Sequence, residues 1–262
     1  MKKRIIAISL VVAMLAIAVI GGSLAYFTDT DAATNTFTVG NVDIKLIEQQ
    51  KGAEGLEPFD QEKNLVPGTS SNGSAVSKIV TVENTGSNPA YVWVEMRIPT
   101  ALLDLGADGQ YKPGTLESKN ALHYNTYGYF MPNYHTSDYT KSPVADGILD
   151  ADLNPTYANA VDPDDGLWND FVIVGTDGDF TVLRSTMVKP LPAGKVSMPA
   201  LRQLYMDWRV MRTASGDFTL PNGSTYPAAG SWNVTVTAYA IQAQGFADVN
   251  AAVAAYATNG TK

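Results

Sequence analysis

The sequence predicts an all-β protein: an antiparallel β-sandwich with a long irregular insertion and a short C-terminal helix. About eight β-prone runs are separated by turn signals, with little helical pattern between them. Two runs, residues 91–98 and 232–243, alternate with a period of two, as strands with one buried face do. Only residues 246–256, rich in alanine, place apolar residues at helical spacing.

Taken in order, the chain opens with Lys2, Lys3 and Arg4, an apolar run over residues 5–20, and Gly21-Gly22-Ser23-Leu24-Ala25. A basic tip, an apolar core and a small-x-small site make a secretory signal peptide. Residues 1–25 are therefore assigned to the signal, with cleavage between Ala25 and Tyr26. The rival, a retained anchor, needs about 20 apolar residues, whereas the run offers 16 before the glycine pair. No stable membrane span is expected after cleavage, and no sorting motif or second apolar stretch is read at the C-terminus.

Residues 26–40 carry few charges, are rich in threonine and aromatics, and precede the sandwich without an obvious hairpin partner. The sandwich is assigned to residues 41–262. Its first strand is read over 42–47, and residues 49–64, polar and interrupted by Pro58 and two glycines, read as a loop. Pro67-Gly68 is a turn signal. Strands over 76–83 and 91–98 flank the turn Asn84-Thr85-Gly86-Ser87-Asn88-Pro89. In the second of these, Val92, Val94, Met96 and Ile98 share one face, and Tyr91, Trp93, Glu95 and Arg97 the other.

From residue 101 to 168 the pattern dissolves into Tyr, Asn, Asp, Gly and Pro, with short apolar pieces such as 127–131. So long a structureless loop is uncommon inside a compact domain. An insertion with its own short elements, packed by its aromatics, is expected. Strands resume at 171–174 and 180–188 around Asp177-Gly178, a hairpin signal. Residues 204–211 fit either a strand or a helical stripe, and a strand is chosen because the neighbours are strands. Asn222-Gly223 marks a turn before the last strand, in which Trp232, Val234, Val236, Ala238 and Ala240 line one face.

Composition narrows the function. With 18 basic and 26 acidic residues, a net charge of −8 and a pI near 4.7, the chain lacks the basic surface that nucleic acid requires. It has no cysteine, which removes thiol catalysis, thiolate metal sites and disulfides together. The two histidines, His123 and His135, stand twelve positions apart with tyrosines between them and no glutamate. That is unlike a helical zinc motif with ligands one turn apart, and they read as polar loop histidines. Asp162, Asp164, Asp165 and Asp170, and separately Asp177 and Asp179, read as solvated turn residues rather than a calcium loop. The 13 tyrosines read as filling under the long loop more than as a contact surface. No catalytic, cofactor or metal residue is assigned, and no cofactor is expected.

Three stretches carry a family resemblance. Leu24-Ala25-Tyr26-Phe27-Thr28-Asp29 followed by Phe37-Thr38-Val39-Gly40-Asn41-Val42-Asp43-Ile44 is the most specific. Leu65-Val66-Pro67-Gly68 leading to Val80-Thr81-Val82-Glu83-Asn84-Thr85-Gly86 is the second, and Val236-Thr237-Ala238-Tyr239-Ala240-Ile241-Gln242-Ala243 the third. Together they resemble the TasA/camelysin family, covering both ends well and the middle poorly. The resemblance implies secretion by a Gram-positive bacterium, processing by a dedicated signal peptidase, and a jelly-roll topology. It further implies, as in the fibre-forming members, that the mature N-terminal strand complements the next subunit.

An extended β-prone segment can add to a sheet edge of another molecule, and head-to-tail addition generates an open filament. The expected anchors are Phe27, Phe37 and Val39. The resulting expectation is a secreted structural subunit of an extracellular matrix or biofilm fibre. Its partners would be its own copies, the signal peptidase during export, and accessory matrix proteins. The alternatives are a camelysin-like secreted metalloprotease and a non-polymerising surface or spore-coat protein.

Overall fold

A computed structural model describes residues 42–60, 63–69, 74–105, 118–127, 146–229 and 232–259. The chain divides into two units, Met1–Val39 and Gly40–Lys262, and every described residue belongs to the second. That unit is all-β. Its first sheet holds β1 (Ile44–Lys51), β2 (Leu56–Pro58), β3 (Pro67–Gly68), β4 (Val76–Asn84), β6 (Leu122–Asn125) and β9 (Leu201–Asp207). The order is β2-β1-β4-β9, with β3 and β6 also pairing β9. The second sheet runs in the order β13 (Thr235–Gln242), β5 (Ala90–Pro99), β8 (Phe180–Thr186), β7 (Val172–Asp177). All these pairings are antiparallel except the two-residue contact of β3 with β9. A small meander of β10 (Met211–Arg212), β11 (Phe218–Thr219) and β12 (Thr225–Tyr226) leads into β13.

One apolar core joins the two sheets. Val80 and Val82 of β4 and Leu201 of β9 share it with Val92, Val94, Met96 and Ile98 of β5 and Leu183 of β8, all fully buried. The chain changes sheet between β4 and β5, between β5 and β6, between β6 and β7, between β8 and β9 and, through the meander, between β9 and β13. At the first crossing Asn84, itself buried, fixes the predicted turn. Its Nδ2 donates to the carbonyls of Asn88 and Leu191, each at 2.9 Å, and its Oδ1 accepts the Gly86 N–H at 3.0 Å.

Met96 lies opposite Leu183 on one side and Val236 on the other. Met96→Ala is therefore expected to lower stability by about 2–5 kcal/mol through the cavity it leaves. Urea unfolding would register this as a shift in midpoint at unchanged slope, and an unmoved midpoint would contradict the core assignment.

The Asp177-Gly178 hairpin forms as expected, with Asp177 opposite Phe180 and Gly178 at φ 58°. Asn222-Gly223 forms its turn with Gly223 at φ 85°. The ambiguous stretch over 204–211 is a strand, although it starts three residues earlier and ends at Asp207. The terminal helix α1 (Val249–Asn259) begins after Asp248, whose Oδ1 accepts the Ala251 N–H at 2.9 Å as an N-cap does.

Three expectations are corrected. Residues 49–64 are not wholly loop, because β1 runs on to Lys51 and folds back as β2, with Gln49 opposite Pro58. The outer face of β5 is not solvated: Trp93 is 1% exposed, stacked on Tyr239 at 5.6 Å and meeting Tyr256 of α1 edge-on at 5.0 Å. The helix covers this face, with Val249 and Ala252 packed beside Tyr91. Finally, the insertion over 101–168 supplies a sheet strand, β6, from Leu122-His123-Tyr124-Asn125, which pairs β9. The piece suggested at 127–131 lies outside the described residues from 128 onward.

Candidate functional site

The two sheets do not close on each other where β1 and β13 form their edges. β1 pairs β4 over residues 44–49, and on its opposite side β2 covers only residues 49–51, with the Phe59 N–H adding a bond to the Glu48 carbonyl. Residues 44–47 of β1 have no strand on that side among the described residues. β13 pairs β5 along its whole length, and its other edge carries no strand among the described residues. The apolar side chains of both edges, Ile44 and Leu46 of β1 and Val234, Val236, Ala238 and Ala240 at β13, pack on the core yet stay half-buried. Their counterparts on β4 and β5 are fully buried. Among the described residues the sandwich is therefore open along one seam.

The seam has a direction and a polarity. At one end lies the β4–β5 turn, where the Asp43 carbonyl accepts the N–H groups of Thr85 and Gly86 and the Ala243 N–H donates to the Pro89 carbonyl. The start of β1 and the end of β13 meet there, so the two strands run antiparallel along the seam. At the other end Leu46 and Glu48 face Val234, Thr235 and Val236 around a groove of about 370 Å³ floored by Lys78.

Lys78 stands two residues before Val80 on the inward face of β4 and is 4% exposed. Its Nζ sits 2.6 Å from the Glu48 carboxylate and 4.1 Å from the Phe59 ring centroid. A buried charge is tolerable only when paired, and inward-pointing charge at an edge discourages indiscriminate strand pairing. One end of the seam is thus charged and the other apolar.

His123 is a further correction, being neither exposed nor in a loop. It lies buried in β6, its ring stacked on Tyr205 at 4.8 Å and its Nε2 3.0 Å from Asp207 Oδ2. Asp207 also accepts from the Arg209 backbone N–H and Nε, both at 2.8 Å. Burial alone would raise the Asp207 carboxyl, but the hydrogen bonds from Arg209 and His123 outweigh it and hold the group well below the usual carboxylate range. Arg209 continues to the Ser118 carbonyl. The cluster clamps β6 and the start of the insertion onto β9. Sequence reasoning missed it because Leu-His-Tyr-Asn has no alternation; the aromatic and leucine content was the only available signal.

With this geometry in place, comparison with known proteins adds one result. Residues 1–70 match the camelysin metallo-endopeptidase family. The resemblance to the TasA/camelysin family is shown by that stretch. No curated protein and no solved structure matches the chain.

The camelysin match takes in residues 1–43 and β1 with Ile44, Leu46 and Glu48, while Lys78 and β13 lie beyond it. The matched stretch contains neither histidine nor cysteine. Ala25, Tyr26, Phe27, Phe37 and Val39, named from sequence as cleavage and anchor positions, lie outside the described residues, as does His135.

Of the acidic clusters, Asp165 pairs with Lys189 at 2.7 Å and Asp177 with Arg97 at 2.8 Å. Among the described residues, no group of three or more His, Cys, Asp or Glu is placed to hold a metal ion.

Asp170 behaves differently, since burial lifts its carboxyl from the usual 3.8 to about 6. A raised folded-state value binds the proton more tightly in the native protein. Its contribution to stability is therefore full below about pH 4 and is lost as pH rises through about 6. Asp170→Asn is expected to flatten the stability profile between those values, read by melting temperature against pH. A mutant profile parallel to that of the unaltered protein would contradict this.

Proposed function

We propose that this protein is a secreted structural subunit of an extracellular matrix or biofilm fibre, exported by a Gram-positive cell through signal peptidase cleavage after Ala25. It polymerises by lending its N-terminal segment to the next subunit. The observation that carries the reading is the seam between β1 and β13: two strand edges that have no partner strand among the described residues, with their inward apolar residues half-buried. An edge of this kind is a template for strand addition. The camelysin match covers the segment immediately upstream of that edge. The repeated passage of the chain between the two sheets supports the jelly-roll topology implied by the family resemblance.

The family's description as a metallo-endopeptidase raises proteolysis as the competing reading. The composition of the matched stretch disfavours it, because zinc sites draw on histidine or thiolate nitrogen and sulfur and residues 1–70 offer neither. Electron microscopy of the protein released by a secreting bacterial host tests the proposal. Filaments are expected, whereas single particles under every condition, with zinc-dependent cleavage of casein, would overturn it.

A further inference from the structure

We infer that Lys78 and Glu48 condense with each other once the chain has folded, so that an isopeptide bond from Lys78 Nζ to Glu48 Cδ staples β1 to β4. The two residues belong to neighbouring antiparallel strands. Glu48 lies opposite Val80. Lys78, two residues earlier on β4, projects from the same inward face as the diagonal neighbour that long side chains reach. The Lys78 side chain is 4% exposed and that of Glu48 20%, with Nζ 2.6 Å from the carboxylate oxygen. An oxygen that close puts the carboxyl carbon at about the 3–3.5 Å separation of reacting atoms. The Phe59 ring centroid lies 4.1 Å from Nζ, and the Phe59 N–H donates to the Glu48 carbonyl at 3.1 Å. The ring that shields the amine is therefore tied to the backbone that carries the carboxyl group.

The step balances within the pair. A proton passes from the Nζ ammonium to the Glu48 carboxylate, leaving an amine and a carboxylic acid. The Nζ lone pair then bonds to Cδ, the bond from Cδ to the hydroxyl breaks, and the hydroxyl leaves with a second Nζ proton as water. Two features favour the amide over the ion pair. Holding two charges out of water is costly, and the product carries none. Holding both groups on adjacent strands makes the encounter intramolecular, which removes the entropic cost that a free amine and a free acid face. The released water has an exit, because Glu48 and Lys78 both line the groove of about 370 Å³ beside Leu46. Gln50 is the other acyl group nearby, standing opposite Lys78 one step beyond the Gln49–Ile79 pair. Its amide is engaged elsewhere, Nε2 donating to Glu57 at 2.6 Å. The bond closes the chain between β1 and β4 into a loop, restricting the unfolded state as a disulfide does, in a chain that has no cysteine.

Mass spectrometry of the full chain expressed in a bacterial host, denatured and digested with trypsin, tests this. Trypsin does not cleave after an acylated lysine. The expected product is a branched peptide joining residues 46–51 to residues 64–97 through Glu48 and Lys78, lighter than the two peptides together by one water. Lys78→Arg keeps a cation against Glu48 but leaves no amine to acylate. Its intact mass should exceed that of the unaltered protein by the lysine-to-arginine difference plus one water, and Glu48→Ala should restore cleavage after Lys78. Separate peptides 46–51 and 64–78 from the unaltered protein, with no branched product, would show an ion pair only and overturn the inference. A branch at Gln50 with loss of ammonia would overturn Glu48 as the acyl partner. The digest of the unaltered protein decides the matter even where a variant fails to fold, and it does so whether or not the protein polymerises.

Discussion

Removal of residues 26–39 is expected to leave a folded protein that no longer forms filaments. Among the described residues the buried apolar core begins at Ile79, and the first strand begins at Ile44, so the packing of the sandwich is built downstream of the deletion. What the deletion removes is the segment proposed to cover the seam of the neighbour. Burying Phe37 and Val39 contributes about 1.5–3 kcal/mol each, to which main-chain hydrogen bonds to two strand edges add. Losing all of it should reduce assembly to undetectable levels rather than slow it. Circular dichroism would verify that the strand signal and a cooperative melt survive. Filament growth by the deleted chain, at the concentration where the intact chain assembles, is the result that would sink the proposal.

The largest loss of stability is expected from Arg202→Met. Arg202 on β9 and Asp146 in the insertion are both buried, and the guanidinium grips the carboxylate through Nε and through Nη2 at 3.2 Å. The Tyr127 hydroxyl donates to the same carboxylate at 3.3 Å. Burial and the neighbouring Asp146 charge hold that phenol well above its usual value, so it remains a donor. Lys51 of β1 approaches only to 4.0 Å and is half exposed, too distant and too wet to replace the arginine. Removing the guanidinium strands a buried carboxylate, which costs about 3–5 kcal/mol. Replacing both partners, as Arg202→Met with Asp146→Leu, should recover most of that loss because no charge is left unpaired. Urea unfolding of the two single variants and the double variant closes the cycle. Equal destabilisation by the double and the single changes would show that the cost is packing rather than charge.

Legibility in the sequence tracked how local each signal was. The inward faces of β5 and β13 were readable, since Val92-Val94-Met96 and Val236-Ala238-Ala240 alternate and pair with one another. The Asp177-Gly178 and Asn222-Gly223 turns were readable because positive φ at glycine is a property of the residue itself. β2 and β6 were not readable, being short, polar and strand-like only through their neighbours β1 and β9. The burial of Trp93 was equally invisible, because the cover comes from a helix more than 150 residues away in sequence.

By itself, then, the sequence determined the all-β class, the main strands with their inward faces, the terminal helix and the family character of the N-terminal stretch. Tertiary structure alone decided which strands are edges, that His123 clamps β6 to β9 through Asp207, and that Lys78 and Glu48 face inward as a pair at one end of an open seam. The reason is one of range. Side-chain alternation and turn preference are set by a few consecutive residues, whereas an edge exists only relative to the strands that fail to flank it, and those are chosen by packing across the whole chain.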